Sequence, residues 1–211
     1  MVKVKICGIT SEEDIEFIEN FPVDFFGFIM YPPSPRFVGE RLKDLLKSVK
    51  KAKKVVVFVN PSLDEIKKAL DLGADFIQLH GEESPWLGEK IGFERLIKAF
   101  RIKYEINFEQ FEPWKKAYAL LLDTYKEGMP GGTGETFNWR LAKEVVERGY
   151  RVFLAGGLKP ENVKEAIERV KPYGIDLSSG LELSPGKKDF EKVKKLFQKL
   201  EEAKNLGETS P

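Results

Sequence analysis

Cys7, the only cysteine of the chain, closes the apolar run that opens the sequence, in Lys5-Ile6-Cys7-Gly8-Ile9-Thr10. A second run, Leu121-Leu122-Asp123-Thr124, ends on a carboxyl. One group able to take a proton and one able to give it, each at a strand end before a loop, are what general acid–base catalysis requires. An unperturbed thiol with a pKa near ~8.5 is only a few per cent ionised at neutral pH. Strand alternation places Lys5 on the side of Cys7, with Val4 and Ile6 on the other, and an ammonium there would favour the thiolate. Asp123 follows leucines, and an apolar setting keeps a carboxyl protonated and able to donate. Both residues have plainer readings. A cysteine in a strand is ordinarily a small buried hydrophobe, and an aspartate at a strand end often caps the next turn.

Two glycine-bearing stretches point to an anion. Phe153-Leu154-Ala155-Gly156-Gly157-Leu158 and Asp176-Leu177-Ser178-Ser179-Gly180 each end a strand-like run. Glycines let backbone N–H groups approach an anion closely, and a helix start adds partial positive charge. Gly156, Gly157, Ser179 and Gly180 are therefore expected to bind a phosphate, against the alternative that they are only turn residues. Arg36 lies in Pro32-Pro33-Ser34-Pro35-Arg36, a stiff segment in which a guanidinium could grip a carboxylate bidentately or could simply be solvated. Asp176 and the single histidine, His80, complete the pocket candidates, although a structural histidine at a strand end is an equal reading. The run Gly128-Met129-Pro130-Gly131-Gly132-Thr133-Gly134 lacks both the nucleotide and the dinucleotide fingerprints and reads as a loop able to close over the site. One cysteine and one histidine are too few for a typical zinc site, and no second thiol exists for disulfide exchange.

The elements that would position these residues alternate along nearly the whole chain. Strands are expected near Val2–Ile9, Asp24–Met30, Lys54–Val59, Phe76–His80, Arg95–Ile102, Ala117–Asp123, Arg151–Gly156 and Gly174–Ser178, most of them almost continuously apolar, as strands covered on both faces are. Helix starts are signalled by Ser11 before Asp14, Ser62 before Glu65, Ser84-Pro85 and Lys159-Pro160-Glu161. The connection around 107–115, interrupted by Pro113, is the poorest helix. Eight β-then-α units predict a single-domain (β/α)8 TIM barrel over residues 1–206, with a disordered tail at 207–211. An open doubly wound sheet, the competitor, more often has five to seven strands. In a barrel the active site lies at the carboxyl ends of the strands, and the loops after strands seven and eight commonly hold a phosphate. That is where the singled-out residues fall.

Bulk composition excludes several classes. With 35 basic and 34 acidic residues, the net charge of +1 leaves no footprint for nucleic acid. The cluster Lys50-Lys51-Ala52-Lys53-Lys54 reads as a solvated helix end. No apolar run reaches membrane-spanning length and no signal-peptide pattern opens the chain, so a cytoplasmic protein without a membrane partner is expected. A lone cysteine fits a reducing compartment. The charged fraction of 33%, rich in Lys and Glu, leans toward a thermophilic source.

Taken together the segments resemble the phosphoribosylanthranilate isomerases of tryptophan biosynthesis. The resemblance rests on VKICGIT at 4–10, GFIMYPPSPRFV at 27–38, VFVNP at 57–61, FIQLHGE at 76–82, LLDT at 121–124, GGTGETF at 131–137, LAGGL at 154–158, PENV at 160–163 and GIDLSSGLELSPGKKD at 174–189. It implies an Amadori rearrangement of N-(5′-phosphoribosyl)anthranilate to 1-(2-carboxyphenylamino)-1-deoxyribulose 5-phosphate. In it Cys7 matches the general base, Asp123 the general acid, Arg36 the arginine on the anthranilate carboxylate, and the LAGGL and SSG runs the phosphate site. It also implies a phosphorylated small-molecule substrate, no metal or organic cofactor, and a monomer or homodimer. Three other readings stay open: another phosphate-binding barrel isomerase or epimerase, a Schiff-base aldolase using Lys5 or Lys98, and a non-catalytic phosphate-metabolite sensor.

Overall fold

A computed structural model describes residues 1–102, 105–123 and 134–208. The strands are β1 (Lys3–Cys7), β2 (Phe25–Ile29), β3 (Lys53–Phe58), β4 (Phe76–Leu79), β5 (Leu96–Arg101), β6 (Ala119–Asp123), β7 (Val152–Ala155) and β8 (Gly174–Leu177). All pair in parallel in sequence order and β8 returns to β1, closing an eight-stranded barrel. Around it lie α1 (Glu12–Ile18), α2 (Leu42–Ser48), α3 (Leu63–Asp71), α4 (Trp86–Ile91), α5 (Gly134–Glu147), α6 (Val163–Val170) and α7 (Phe190–Glu208). The expected (β/α)8 barrel is the observed fold. The fifth connection, where Pro113 removes a backbone donor, is 3₁₀ turns over Phe108–Trp114. A short hairpin, β9 (Glu182–Ser184) and β10 (Lys187–Lys188), follows β8 and was not anticipated. The last helix runs to Glu208, and positions 209–211 of the tail lie outside the described residues.

Local signals explain the helix starts, with two departures. Ser62 and Glu65 form a full capping box, each side chain bonding the other's backbone N–H. At α1 only half of that box exists: Ser11 accepts from the Asp14 N–H, while the Asp14 carboxylate accepts from the Lys188 N–H at 3.5 Å. Pro160 falls in a turn ahead of α6 rather than in its first turn.

Strand alternation divides the core in two. Val4, Ile6, Phe26, Phe28 and Val56 face the helices. Cys7, Phe25, Val55, Val57, Ile97, Ala99, Leu121 and Phe153 fill the barrel interior. At the amino end of the strands, aromatic rings plug that interior. Phe25 and Phe153 meet edge-on at 5.3 Å, Phe76 and Tyr118 lie 4.4 Å apart, and the Tyr118 and Tyr173 hydroxyls are 2.8 Å apart. Edge-on and tilted rings of this kind add to what their area burial contributes. Burial pushes the Tyr118 phenol up to about 12, so it remains a neutral part of the plug. With the amino end of the interior filled by rings, the polar interior side chains Lys5, Gln78 and Asp176 lie toward its carboxyl end. Removing one ring should open the plug: Phe153→Ala is expected to destabilise the fold by about 3–5 kcal/mol in chemical denaturation, and a loss below ~1 kcal/mol would show that the plug is not part of the core.

Candidate active site

Each singled-out residue reaches the carboxyl rim of the barrel through register. Cys7 is the last residue of β1 and lies opposite Gly27 of β2. A Cβ built on Gly27 would stand 2.5 Å from the Cys7 sulfur, so that glycine supplies the space the thiol occupies. Lys5, two residues deeper and fully buried, lies opposite Asp176 of β8, and its ammonium is 2.9 Å from the Asp176 carboxylate. Burial would strip the Lys5 proton, but Asp176 and the Cys7 sulfur hold it, and its pKa is raised. The thiol itself differs from expectation. Burial pushes it up, and this outweighs the opposite pull of Lys5 and Lys188. Lys5 is beside the sulfur as alternation predicts, yet the dry barrel interior decides the direction.

Asp123 ends β6, with a quarter of its side chain exposed. His80 follows β4 and places Nε2 4.0 Å from Asp123 Oδ2. Gln78, on the interior face of β4, holds the ring in place, its side-chain amide hydrogen-bonded to His80 Nδ1 at 3.1 Å. Burial pushes His80 down to about 4; Asp176 opposes this, while Lys5 and Arg101 reinforce it. His80 thus stands between Asp123 on one side and the Lys5–Asp176 pair beside Cys7 on the other. Cys7 is buried, and thiol and carboxyl stand at the carboxyl ends of β1 and β6.

The two glycine stretches come together after β7 and β8. Gly156 and Gly157 have φ of 93° and 66°, a left-handed turn that favours glycine. Ser179 and Gly180 open a 3₁₀ turn after β8. A Cβ on Gly180 would run into the Leu158 carbonyl oxygen, so the two loops touch backbone to backbone with no room for a side chain between them. Asn162 braces the first loop, donating to Gly157 O at 3.0 Å and accepting from the Lys159 N–H at 2.9 Å.

Arg36 is not a solvated arginine. Its Nε and Nη2 donate to the two oxygens of Glu182 at 2.8 and 2.7 Å, and its stem lies over Gly8, beside Cys7. Glu182, on β9, also accepts from the buried Lys188 ammonium at 3.1 Å. Lys188 donates in turn to the Cys7 carbonyl at 2.6 Å. Sequence reading missed Glu182 and Lys188 as individual residues, although both stand in the SSGLELSPGKKD run. The signal was a carboxylate and an ammonium in a segment otherwise made of turn residues. Lys98 sits on the outer face of β5, bonded to Glu83 at 2.8 Å and to Gly81 O at 2.6 Å, and is committed to bracing that loop. Of the glycine run 128–134, all but Gly134 lies outside the described residues, and so does its expected closure over the site. Among the described residues, no cluster of His, Cys, Asp and Glu has the makings of a metal site, and no helix is long and apolar enough to cross a membrane.

Residues 4–199 match the family model described as N-(5′phosphoribosyl)anthranilate (PRA) isomerase. A relative from Aquifex aeolicus named N-(5′-phosphoribosyl)anthranilate isomerase is 52% identical over 94% of this chain and 98% of its own. The crystal structure of phosphoribosyl anthranilate isomerase from Thermotoga maritima superposes with a TM-score of 0.86 at 36% identity, covering 96% of this chain and 100% of that one. A structure of the isomerase in complex with reduced 1-(o-carboxyphenylamino)-1-deoxyribulose 5-phosphate superposes with a TM-score of 0.84 at 34% identity over 96% of this chain and 100% of that one. With the barrel, the thiol and carboxyl at its mouth and the paired glycine loops in place, this chain belongs to the N-(5′-phosphoribosyl)anthranilate isomerase family.

Proposed function

We propose that this chain rearranges N-(5′-phosphoribosyl)anthranilate to 1-(2-carboxyphenylamino)-1-deoxyribulose 5-phosphate, with Cys7 as general base and Asp123 as general acid. The observation that supports this assignment of roles is that Cys7, Asp123, Arg36 and the paired glycine loops all follow or end strands at the carboxyl end of one barrel. The phosphate docks on the backbone of Gly156, Gly157, Ser179 and Gly180, where the touching loops admit no competing side chain. The anthranilate carboxylate docks on Arg36. The ribose then spans the mouth between Cys7 and Asp123. Fixing a substrate at both ends supplies much of the rate advantage of an intramolecular reaction.

Protonated Asp123 gives its proton to the furanose ring oxygen. The C1′–O bond breaks, and the anthranilate nitrogen lone pair forms the C1′=N iminium. That cation acidifies the proton on C2′, which Cys7 takes as thiolate; the C–H electrons become the C1′=C2′ bond, and the iminium becomes a neutral amine. The enolamine then loses its C2′ hydroxyl proton and gains one at C1′, giving the ketone and restoring both groups. The substrate's own nitrogen is the electron sink throughout. Lys5 and Lys188 favour the thiolate that burial disfavours, and the iminium beside it adds a third positive charge during reaction. His80 stays neutral beside Asp123 and adds no charge to the mouth.

Cys7→Ala and Asp123→Asn are each expected to lower kcat by about 10²–10⁴-fold or more in a spectroscopic turnover assay while binding of the reduced product analogue changes little; loss of binding in step with turnover would make them packing residues. Gly180→Ala should weaken inorganic phosphate as a competitive inhibitor by about tenfold or more, and an unchanged inhibition constant would remove the loop from the phosphate site. The ring resonances of the single histidine are expected to remain those of neutral imidazole below pH 6.5 and to titrate with a midpoint at about 4. The unfolded chain binds that proton near pH 6.5, so His80 contributes stability that is complete above this pH and lost as pH falls toward about 4. A midpoint near 6.5 in the folded protein would place His80 in bulk solvent.

A further inference from the structure

The hairpin β9–β10 holds two buried charged side chains, of which the mechanism uses only the charge of Lys188 and leaves Glu182 without a role. Glu182 is 4% and Lys188 0% exposed at the side chain. Dry charges of this kind bring no net stability over an apolar filling, because desolvation offsets their attraction. Their arrangement is specific. A guanidinium presents two forks, a lateral one from Nε and Nη2 and a terminal one from Nη1 and Nη2. Glu182 occupies the lateral fork with both oxygens, and among the described residues Nη1 donates to no protein acceptor. Glu182 alone would neutralise Arg36. Lys188, 3.1 Å from Glu182 Oε1, restores an excess of one positive charge to the trio. The Lys188 ammonium also donates to the carbonyls of Cys7, at 2.6 Å, and Ser178, at 3.4 Å, which end β1 and precede the glycine turn after β8. Lys192 completes the clamp by donating to the Glu182 carbonyl at 2.9 Å.

We infer that Glu182 is a positioning residue for substrate: it holds Arg36 by the lateral fork so that the terminal fork meets the anthranilate carboxylate, while Lys188 keeps the trio cationic and ties it to the strand end bearing the base. The inference rests on the proposed rearrangement and deepens it. A loose arginine would lose side-chain freedom on each binding event; one already clasped by Glu182 has lost it on folding. The attachment to Cys7 and Ser178 further sets the distances between carboxylate anchor, base and phosphate loop in one unit.

The test uses calorimetric binding of two ligands, the reduced product analogue and the same molecule with phenylamino in place of carboxyphenylamino. They are measured on the full-length protein, on Glu182→Gln, on Arg36→Ala and on the double variant. Glu182→Gln is expected to weaken the carboxylate-bearing ligand by about tenfold or more, to change the ligand without it by less than about twofold, and to add almost nothing once Arg36 is alanine. Equal loss of both ligands, an undiminished effect in the Arg36→Ala background, or no effect would each overturn the inference. Glu182→Asp keeps the charge but shortens the reach; it serves where Glu182→Gln does not fold and carries the same expectation. Failure of the proposed rearrangement reads out separately, as wild-type protein that neither turns over phosphoribosylanthranilate nor binds either ligand.

Discussion

A lysine ammonium with no exposure is tolerable inside a barrel only if a carboxylate meets it, and Asp176 does so 2.9 Å from Lys5. That contact is a matter of register. Lys5 and Asp176 face each other because β1 and β8 close the sheet in parallel with those two positions opposite. Slip either strand by one residue and the pair would separate, one charge facing the helices and the other the interior. Barrel closure and the charge pair therefore depend on each other, and the thiol two residues further along β1 inherits its position from both.

The interior is consequently layered by polarity. Rings of Phe25, Phe76, Phe153, Tyr118 and Tyr173 fill the amino end, and Lys5, Gln78 and Asp176 form the floor above them. The apolar layer excludes water and strengthens each electrostatic contact above it, while penalising any charge left unpaired. This explains why His80 is driven neutral and why the Cys7 thiol is raised in spite of two ammonium groups nearby.

Much of this was legible in the sequence because the signals were local. The eight apolar runs became eight strands, each within about two residues of its expected bounds, since strands buried on both faces have almost no polar residues to blur them. Alternation placed Lys5 beside Cys7 correctly, and strand ends placed Asp123, His80 and the glycine loops on one rim. What escaped was pairing across distance and the balance between opposed effects. Arg36 and Glu182 are 146 positions apart, and no periodicity announces that one clasps the other. The direction of the thiol shift turned on how dry the site is, a property of the closed barrel rather than of the residues next to Cys7. The half-made capping box at Ser11 has the same origin, because the Asp14 carboxylate turned to the Lys188 N–H instead.

The sulfur of Cys7 fills a volume that a neighbouring side chain would otherwise take, since position 27 carries only hydrogen and a methyl there would overlap it. Substitutions on the first two strands are accordingly coupled: a bulkier reactive group at 7 still needs emptiness at 27, and any enlargement at 27 must be matched by shrinkage at 7. The choice of side chain at 7 and the bareness of the adjacent strand amount to one heritable decision, distributed over two codons twenty positions apart.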